Sequence, residues 1–309
     1  MERTDTLEIF VAVVSENGFS AASRLLGIPL PTVSRRIAKL EERLGVQLLT
    51  RTTRSLSLTE AGKRYFSGAT QILHDIRHLD QEVVADHTIL RGELTLASPV
   101  AFGRKLLSPI ISKFLKEHSS VSIQHVLINP MFDYTEKGID LGVRIGPLKD
   151  SGMKSIGLGE IRVVLCASID YLEKHGAPKR LKDLTRHKCI AYTPFGRQPE
   201  WGVGGSGNTL EKLEINPVYR ANDIDAVRDL VEIGSGIGWL HSYQISEALA
   251  SGRVKILLSK FEVPNRPVNF LYPEMQFVPQ KTRKFLETAV PELRTAISET
   301  QRIAAASHW

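Results

Sequence analysis

The first thirty residues carry apolar positions at the spacing of short α-helices, broken by tight turns. The first helix is predicted from the spacing of Leu7, Phe10, Val11 and Val14. Asn17-Gly18 predicts its end, because both residues tolerate a left-handed backbone. Ser20 lies where the N-cap of a second helix is expected, and Gly27 lies where this small-residue helix is expected to end. The pattern therefore predicts two short helices before residue 28.

A third helix with two distinct faces follows the turn Ile28-Pro29-Leu30-Pro31. Pro31 suits the first turn of a helix, where its missing N–H costs nothing. One face is apolar and carries Val33, Ile37, Leu40 and Leu44. The other face is polar or basic and carries Thr32, Ser34, Arg35, Arg36, Lys39 and Arg43. A slim helix, a turn and an amphipathic basic helix have the layout of a helix-turn-helix.

The charge of this region is local. Residues 20–64 contain nine Lys/Arg against three Asp/Glu, whereas residues 1–90 contain eleven of each. The basic residues therefore form a patch, as in proteins that bind nucleic acid. A solvated basic helix face is the alternative. The small-residue helix, the turn and the segment that follows together favour DNA binding over that alternative.

The predicted DNA contacts lie on the third helix and on a short wing. In a helix-turn-helix the second helix of the pair enters the major groove by its N-terminal end. Residues 46–59 alternate apolar and polar positions around Arg51-Thr52-Thr53-Arg54, which predicts two short strands whose tip reaches the DNA backbone or the minor groove. The candidate DNA-binding residues are Ser20, Leu30, Pro31, Thr32, Ser34, Arg35, Arg36, Lys39, Arg51, Thr53 and Arg54.

A long helix is predicted after the wing, with Thr59 as its N-cap. Its apolar positions alternate spacings of four and three, as in a heptad: Tyr65, Ala69, Ile72, Ile76, Leu79 and Val83. A helix over residues 59–87 would span about 43 Å. This seam predicts a homodimer, which would read a pseudo-palindromic DNA site. Packing of the helix on its own chain is the alternative. His74 and His78 lie four residues apart but lack a third metal ligand, so a solvated pair is favoured.

After residue 92 the pattern changes to alternating strands and helices, which predicts an α/β fold with a mostly parallel sheet. The first predicted unit consists of strand 93–97, helix 105–117, strand 121–128 and strand 139–145. The second consists of strands 161–167, 189–192 and 213–219, helix 223–232 and strand 237–240. A strand at 268–272 and a helix at 280–293 remain. The pattern does not assign these last two elements to either unit.

Ligands of open α/β sheets bind beyond the carboxyl ends of strands, near helix N-termini. Four junctions of this kind contain the candidate ligand-binding residues Ser98, Val100, Phe102, Arg144, Gly146, Thr193, Phe195 and Asn222. Ser98 with nearby backbone N–H groups would hold a carboxylate, and Asn222 is expected to cap a helix. Each junction has an ordinary turn or capped helix as its alternative. For Arg144 the alternative is a salt bridge to Asp140 or Asp150.

The chain lacks the residues that catalysis needs. It shows no convincing nucleophile with a base, metal-ligand set or cofactor fingerprint, so no enzyme and no cofactor are expected. The glycine-rich segment at 201–207 lacks the Lys-Ser/Thr of a phosphate loop. Cys166 and Cys189 lie in strand-like apolar runs, where buried packing is favoured over a redox pair.

Composition and hydropathy narrow the class of protein. The 309 residues are 42% hydrophobic and 24% charged, which is ordinary for a globular protein with two or three domains. No apolar run reaches about eighteen residues, and the N-terminus has no signal-peptide pattern. Membrane insertion and export are therefore not expected, and the predicted location is the cytoplasm.

With these residues laid out, the chain resembles the LysR-type transcriptional regulators over its whole length. The resemblance rests on Phe19-Ser20-Ala21-Ala22, Leu25, Val33-Ser34-Arg35, Leu40-Glu41, Leu44-Gly45, Arg51-Thr52-Thr53-Arg54, Leu58-Thr59-Glu60-Ala61-Gly62 and Asp140-Leu141-Gly142-Val143-Arg144-Ile145-Gly146. It implies an all-α winged helix-turn-helix at residues 1–58, a dimerising linker helix at 59–90 and an effector domain at 91–309. That domain would have two α/β halves, related to periplasmic binding proteins: residues 91–160 with 268–309, and residues 161–267.

The resemblance also implies partners. Its members form homotetramers, bind double-stranded DNA and take a small, often anionic, co-inducer in the cleft between the halves; RNA polymerase is a further candidate partner. The chain departs from the family pattern at Pro29 and Leu30, where relatives usually carry Ser or Thr and then Gln. His241 replaces a frequent proline, and by analogy it is a candidate effector-binding residue. The alternative function is an α/β solute-binding or redox-sensing protein without ligand-gated control of DNA binding.

Overall fold

The computed structural model describes residues 2–51, 56–84, 90–128, 138–148, 153–194, 198–199, 201–204, 210–213, 215, 217–274 and 278–309. The N-terminal elements are helices α1 (Glu2–Ser15), α2 (Phe19–Leu26) and α3 (Leu30–Leu44), strands β1 (Leu49–Arg51) and β2 (Leu56–Leu58), and helix α4 (Glu60–Val84). β1 and β2 pair antiparallel, so the predicted wing is confirmed.

The three N-terminal helices enclose a small apolar core. Phe10, Val33 and Ile37 are completely buried in it. Leu44 was predicted to belong to the same stripe, but it is 37% exposed because it lies in the last turn of α3, beyond the reach of α1 and α2. The prediction of Ser20 as an N-cap is also wrong. Helix α2 begins two residues earlier, with Gly18 as its N-cap, and Ser20 lies exposed inside the first turn.

The linker helix α4 packs on its own chain over its first turns and carries an exposed apolar side chain further along. Its predicted cap is confirmed, because the Thr59 hydroxyl accepts the N–H of Gly62 at 2.9 Å. Tyr65 packs edge-on against Phe10, with ring centroids 5.4 Å apart. The first apolar position of the heptad therefore packs within its own chain. Ile72, by contrast, is 49% exposed. The side chains of His74, His78, Leu79 and Val83 lie outside the described residues.

The rest of the chain forms two α/β lobes. Its elements from residue 92 to residue 161 are β3 (Gly92–Ser98), α5 (Val100–Phe102), a π-helical turn (Gly103–Leu107), α6 (Ser108–Glu117), β4 (Val121–Leu127), β5 (Leu141–Ile145) and β6 (Met153–Ile161). Those from residue 163 to residue 221 are β7 (Val163–Ser168), α7 (Ile169–His175), a 3₁₀ turn (Leu181–Arg186), β8 (Cys189–Tyr192), β9 (Trp201–Gly204), β10 (Leu210–Leu213) and β11 (Pro217–Ala221). The remaining elements are α8 (Ile224–Glu232), β12 (Ile237–His241), a 3₁₀ turn (Ser242–Gln244), α9 (Ser246–Ala250), β13 (Val254–Leu257), a 3₁₀ turn (Ser259–Phe261), β14 (Arg266–Pro273) and α10 (Gln280–Ala305).

Each lobe contains one mixed five-stranded sheet. The first has the order β4-β3-β5-β14-β6, and the second has the order β11-β8-β12-β7-β13. Within each sheet four strands run in one direction, and one strand runs against them: β14 in the first sheet and β7 in the second. The expected mostly parallel sheet is therefore confirmed. The strand β14 pairs along all eight of its residues with β6 and runs against it.

One further prediction needs correction. The segment 213–219 is not one strand, because β10 forms a hairpin with β9 whereas β11 starts at Pro217 and joins the second sheet. Trp201, which begins the glycine-rich segment, is buried at the start of β9, so its first residues form a packed strand.

The chain passes between the lobes at two places. It leaves the first lobe between Ile161 and Val163, and it returns after the 3₁₀ turn that ends at Phe261. As the resemblance implies, β14 lies in the first sheet. Helix α10 extends past its predicted end at residue 293, because Ile297 still packs in the core of the first lobe and Ala304 in the core of the second.

Candidate functional site

The predicted DNA-reading residues lie at the N-terminal end of α3. Leu30, the first residue of that helix, is 41% exposed, whereas Thr32 and Ser34 are half-buried. No side chain caps this helix, and the carbonyl of Pro29 accepts the N–H groups of Thr32 and Val33. The absence of a usual cap, expected from the sequence, is thus confirmed. The N-terminal end of α3 thus carries one exposed apolar side chain and two half-buried hydroxyl side chains.

The basic residues of α3 are in different situations. The guanidinium of Arg36 lies 3.5 Å from the carboxylate of Asp5 in α1, which directs it toward its own domain. Arg35 and Lys39 are exposed and have no ion pair within the described residues. The side chain of Arg51 and all of Thr53 and Arg54 lie outside the described part of the chain. Of the predicted DNA contacts on α3, Arg35 and Lys39 are therefore the exposed cations without an ion pair in the described part of the chain.

Glu41 attaches the wing to the reading helix, a role that sequence reasoning missed. Its carboxylate accepts the backbone N–H groups of Leu48 at 2.7 Å and Leu49 at 3.0 Å. Hydrogen bonds to an ionised group are stronger than neutral ones. The carboxylate therefore fixes the start of β1 relative to α3. The motif Leu40-Glu41 carried the only sequence signal for this contact.

The predicted ligand-binding residues lie at the carboxyl ends of parallel strands in both sheets. In the first lobe, Ser98 ends β3 while Arg144 and Gly146 mark the end of β5. In the second lobe, Thr193 follows β8, Asn222 follows β11 and His241 ends β12. The lobes meet at this level, because the ring of Phe102 packs edge-on against that of Tyr243, with centroids 5.6 Å apart.

Ser98 lies beneath the start of the first helix of its lobe. It is completely buried, and its Oγ lies 2.8 Å from Nε2 of His125 on β4. A Cβ on Gly103 would come within 2.4 Å of the same Oγ, so the helix can approach this closely only with glycine there. Burial lowers the pKa of His125. The Ser98 hydroxyl is thus engaged by a neutral histidine. Val100 is half-buried nearby.

Arg144 is half-buried, and its Nε lies 3.4 Å from the carbonyl oxygen of Pro147. The alternative of a salt bridge to Asp140 is wrong. Asp140 is buried, lies 3.7 Å from the ammonium of Lys281 and accepts the N–H of Thr95. Asp150 lies outside the described residues. The Arg144 guanidinium has no carboxylate partner within the described part of the chain.

The hydroxyl of Thr193 is a buried polar group without a partner among the described residues. Since such a group loses the full hydrogen bond that water would give it, a ligand or water is its natural partner. Asn222 is exposed and does not cap α8 as expected. Its neighbour Asp223 is the cap and accepts the N–H of Ala226 at 3.0 Å. Phe195 lies outside the described residues.

His241 is half-buried and lies parallel to the ring of Tyr243, with centroids 5.8 Å apart. Burial, and secondarily the charge of Arg266, lower the pKa of His241 to about 4. Its imidazole is therefore neutral near pH 7. It can exchange a hydrogen bond with a ligand but cannot neutralise an anion.

Three polar contacts join the two lobes, and none of them was predicted from the sequence. Arg104 pairs with Asp225 at 2.6 Å, the Lys105 ammonium donates to the carbonyl of Gln244 at 2.9 Å, and Arg162 pairs with Glu262. The first and last partners are separated by 121 and 100 positions in the chain, so no local pattern could indicate them.

The two cysteines are too far apart for a disulfide. Strand β12 lies between β7 and β8, and its neighbouring residues Gly238 and Ile237 pair with Cys166 and Cys189. Two strand spacings separate the cysteine Cα atoms by about 9–10 Å, whereas a disulfide needs less than about 7 Å. Burial raises the pKa of Cys166, and it raises that of Cys189 to about 11. A direct disulfide is therefore excluded in this arrangement, and both thiols are buried, as the favoured packing alternative expects.

No helix within the described residues is long and apolar enough to span a membrane. The same part of the chain contains no group of three metal-ligating side chains.

Two family models match the chain. Residues 4–63 match a bacterial regulatory helix-turn-helix of the lysR family, and residues 87–294 match a LysR substrate binding domain. The HTH-type transcriptional regulator CrgA of Neisseria meningitidis serogroup C is 33% identical over 292 residues, 94% of this chain and 97% of that protein. The HTH-type transcriptional activator AaeR of Escherichia coli K12 is 30% identical over 283 residues, 92% of this chain and 91% of that protein.

Solved structures show the same architecture. The structure of CrgA from Neisseria meningitidis has a TM-score of 0.61 and 33% identity, covering 94% of this chain and 98% of that chain. The full-length structure of the Vibrio cholerae virulence activator AphB has a TM-score of 0.63 and 26% identity, covering 93% of this chain and 98% of that chain.

Proposed function

Since the chain belongs to the LysR family of transcriptional regulators, with a helix-turn-helix and a substrate-binding domain, we propose specific residues for its two binding activities. The observation that supports the proposal most strongly is the exposed N-terminal end of α3, next to a wing fixed by Glu41. That geometry suits insertion of α3 into the major groove.

On DNA, we assign base contacts to the start of α3. Leu30 would touch a thymine methyl, while Thr32 and Ser34 would bond to base edges or flanking phosphates. Arg35 and Lys39 would contact phosphates, and Arg51, Thr53 and Arg54 would do so from the wing. Ser20 and Pro31 would support the approach to the backbone. Because Leu30 replaces the amide usual in the family, the preferred base sequence would differ from that of relatives.

The second binding activity is recognition of a small effector between the lobes. Arg144, which has no carboxylate partner in the described part of the chain, favours an effector with a carboxylate. Thr193 and the neutral His241 would bond to an uncharged polar group of the same molecule. Phe102, whose ring is completely buried against Tyr243, would support the pocket from beneath. Ser98, Val100, Gly146, Phe195 and Asn222 complete the proposed lining. No other cofactor is proposed.

The proposed assembly is a homodimer through α4, paired into a homotetramer. Ile72 supports this step, because a large apolar side chain that is half-exposed on a long helix suits burial against a second copy. A dimer would read a pseudo-palindromic site, and RNA polymerase would be the partner in regulation. The protein would act in the cytoplasm, where DNA is read, and as a regulator without enzymatic activity.

Footprinting on the promoter regions beside its own gene tests the function directly. Two protected half-sites about one or more helical turns apart are expected. The pattern should change when the small molecules of a cell extract are added, because effector binding alters the arrangement of the subunits. Absence of any protected site would overturn the proposal.

A further inference from the structure

An ion pair connects the lobes at the edge where the ligand-binding residues lie. Arg104 belongs to the π-helical turn that follows Phe102, and Asp225 belongs to the first turn of α8. Their side chains meet at 2.6 Å, between Nη1 and Oδ2. Both helices begin just after a parallel strand, so this pair lies beside the expected effector site.

Asp225 and Arg104 differ in how many counter-ions each has. Asp225 has a second cation, because Nη1 of Arg228 lies 2.6 Å from its other oxygen. Arg104 has no second anion within the described residues. The Asp225 side chain is 13% exposed, whereas that of Arg104 is 61% exposed. If Arg104 leaves, Asp225 therefore stays neutralised in place, while the guanidinium remains accessible to another carboxylate.

The neighbouring cation shows the opposite arrangement. Lys105 is largely buried and donates to the backbone carbonyl of Gln244 at 2.9 Å, with Glu247 at 3.7 Å. A carbonyl that is part of a turn cannot move aside for a ligand. Of the two adjacent cations on the first lobe, Arg104 is the one held by a side chain alone, within the described residues, and not by a backbone carbonyl.

We propose that Arg104 binds the anionic group of the effector, and that Asp225 holds the same guanidinium when no effector is bound. This inference rests on the proposed function, in which an anionic effector binds between the lobes. A guanidinium suits the exchange, since it bonds to a carboxylate through two parallel N–H groups. The exchange breaks one connection between the lobes, so it couples binding to their arrangement.

Two substitutions that break the same ion pair separate this role from a structural one. Asp225→Asn removes the competing carboxylate, and Arg228 keeps Asp229 as a partner at 2.7 Å. Arg104→Gln removes the group that receives the anion. A structural role predicts the same effect from both changes, whereas competition predicts opposite effects on anion binding.

The probes are benzoate and succinate, with benzamide as an uncharged counterpart of benzoate. Benzoate is chosen because the half-buried ring of His241 lies at the site. Calorimetric titration of the full chain is expected to show carboxylates binding roughly two- to fivefold more tightly to Asp225→Asn and about tenfold more weakly to Arg104→Gln. Benzamide affinity should not change.

A matched control is Lys113→Gln. Lys113 lies on α6 of the same lobe, is 56% exposed and pairs with Glu292 at 2.5 Å, but within one lobe. The Lys113→Gln substitution should leave the affinities for benzoate, succinate and benzamide unchanged. The inference is overturned if both Arg104→Gln and Asp225→Asn move carboxylate affinity in the same direction, or if neither moves it. Carboxylate binding by neither wild type nor Asp225→Asn would overturn it as well.

Footprinting distinguishes failure of the proposed role of Arg104 from failure of the proposed function. If wild type protects promoter DNA and its footprint responds to cell extract, the proposed function stands whatever the titrations give. If wild type protects no site, the proposed function fails even where carboxylates bind.

Discussion

Arg162 and Glu262 form a bidentate ion pair between the two segments that connect the lobes. Nε of Arg162 lies 2.9 Å from Oε2, and Nη2 lies 2.6 Å from Oε1. The two side chains are only 14% and 15% exposed. Unlike Arg104 with Asp225, neither partner is open to a ligand. The pair therefore fixes one connecting segment relative to the other, and relative movement of the lobes must occur around it.

Removal of one charge from this pair should destabilise the effector domain. Glu262→Gln leaves the Arg162 guanidinium largely buried without a counter-ion, at a cost of about 2 kcal/mol. The expected result is a lower urea midpoint in the unfolding of the C-terminal lobes. Glu299→Gln is the control, since its partner Arg302 lies at 2.7 Å on an exposed helix face. Equal midpoints for Glu262→Gln and wild type would contradict the role of the pair.

The cations of α3 should differ in their effect on DNA affinity. Arg35→Ala should weaken binding to all sequences and reduce the slope of log affinity against log salt concentration by about one. Arg36→Ala should have a smaller effect, because Arg36 is directed toward Asp5. Fluorescence anisotropy at several salt concentrations measures both. A larger change in slope for Arg36→Ala would contradict the assignment.

The exposed face of α4 should mediate dimerisation. Ile72→Asp places a charge on the proposed seam, so the dissociation constant of the dimer should rise, and affinity for DNA with two half-sites should fall. Sedimentation measures the first quantity. Leu25→Asp is the control, because Leu25 is also exposed, at 63%, but lies on α2. An unchanged association state for Ile72→Asp would remove this seam from the assembly.

Protonation of His241 should make the protein less stable in acid. Above about pH 6.5 the ring is neutral in both folded and unfolded chains. Between that pH and its folded pKa of about 4, only the unfolded chain takes up the proton, so stability falls as pH falls. At pH 5 this amounts to about 2 kcal/mol. His241→Gln should therefore lose less stability than wild type between pH 7.5 and pH 5 in urea titrations. If wild type and His241→Gln lost the same stability between these pH values, burial would not be lowering the pKa of the ring.

The cysteines should be unreactive in the folded protein. Both are buried and burial raises the pKa of each thiol, to about 11 for Cys189, so the thiolate that reacts is scarce at pH 7.5. A thiol reagent should label them only after unfolding in urea. Rapid labelling without denaturant would contradict this prediction, and a disulfide formed by peroxide within one folded chain would contradict the strand order.

Local patterns were sufficient for much of the N-terminal region. Gly27 ends α2 with a left-handed backbone, and Thr59 caps α4, because each signal acts within one helical turn. Asn222 and Asp223 show the limit of that reasoning. Both residue types cap helices, and the choice depends on where α8 starts once Val227 and Val231 pack against the second sheet.

Long-range contacts had no sequence signal. Strand β6 was not predicted because it lies at a sheet edge, where Lys154 and Ser155 are both exposed and interrupt a strict alternation. In the sequence, Arg104 and Asp225 do not differ from other charged helix residues, because only the packing of the lobes brings them together. The candidate site could therefore be located at strand ends from sequence, but its ion pairs depend on how the two lobes meet.

The most direct test of effector-controlled DNA reading is a footprint titration of wild type on the promoter beside its own gene, with and without the small-molecule fraction of a cell extract. We expect two protected half-sites whose protection pattern shifts when that fraction is added. Uniform protection of random DNA, or a specific footprint that the fraction leaves unchanged, would contradict the account.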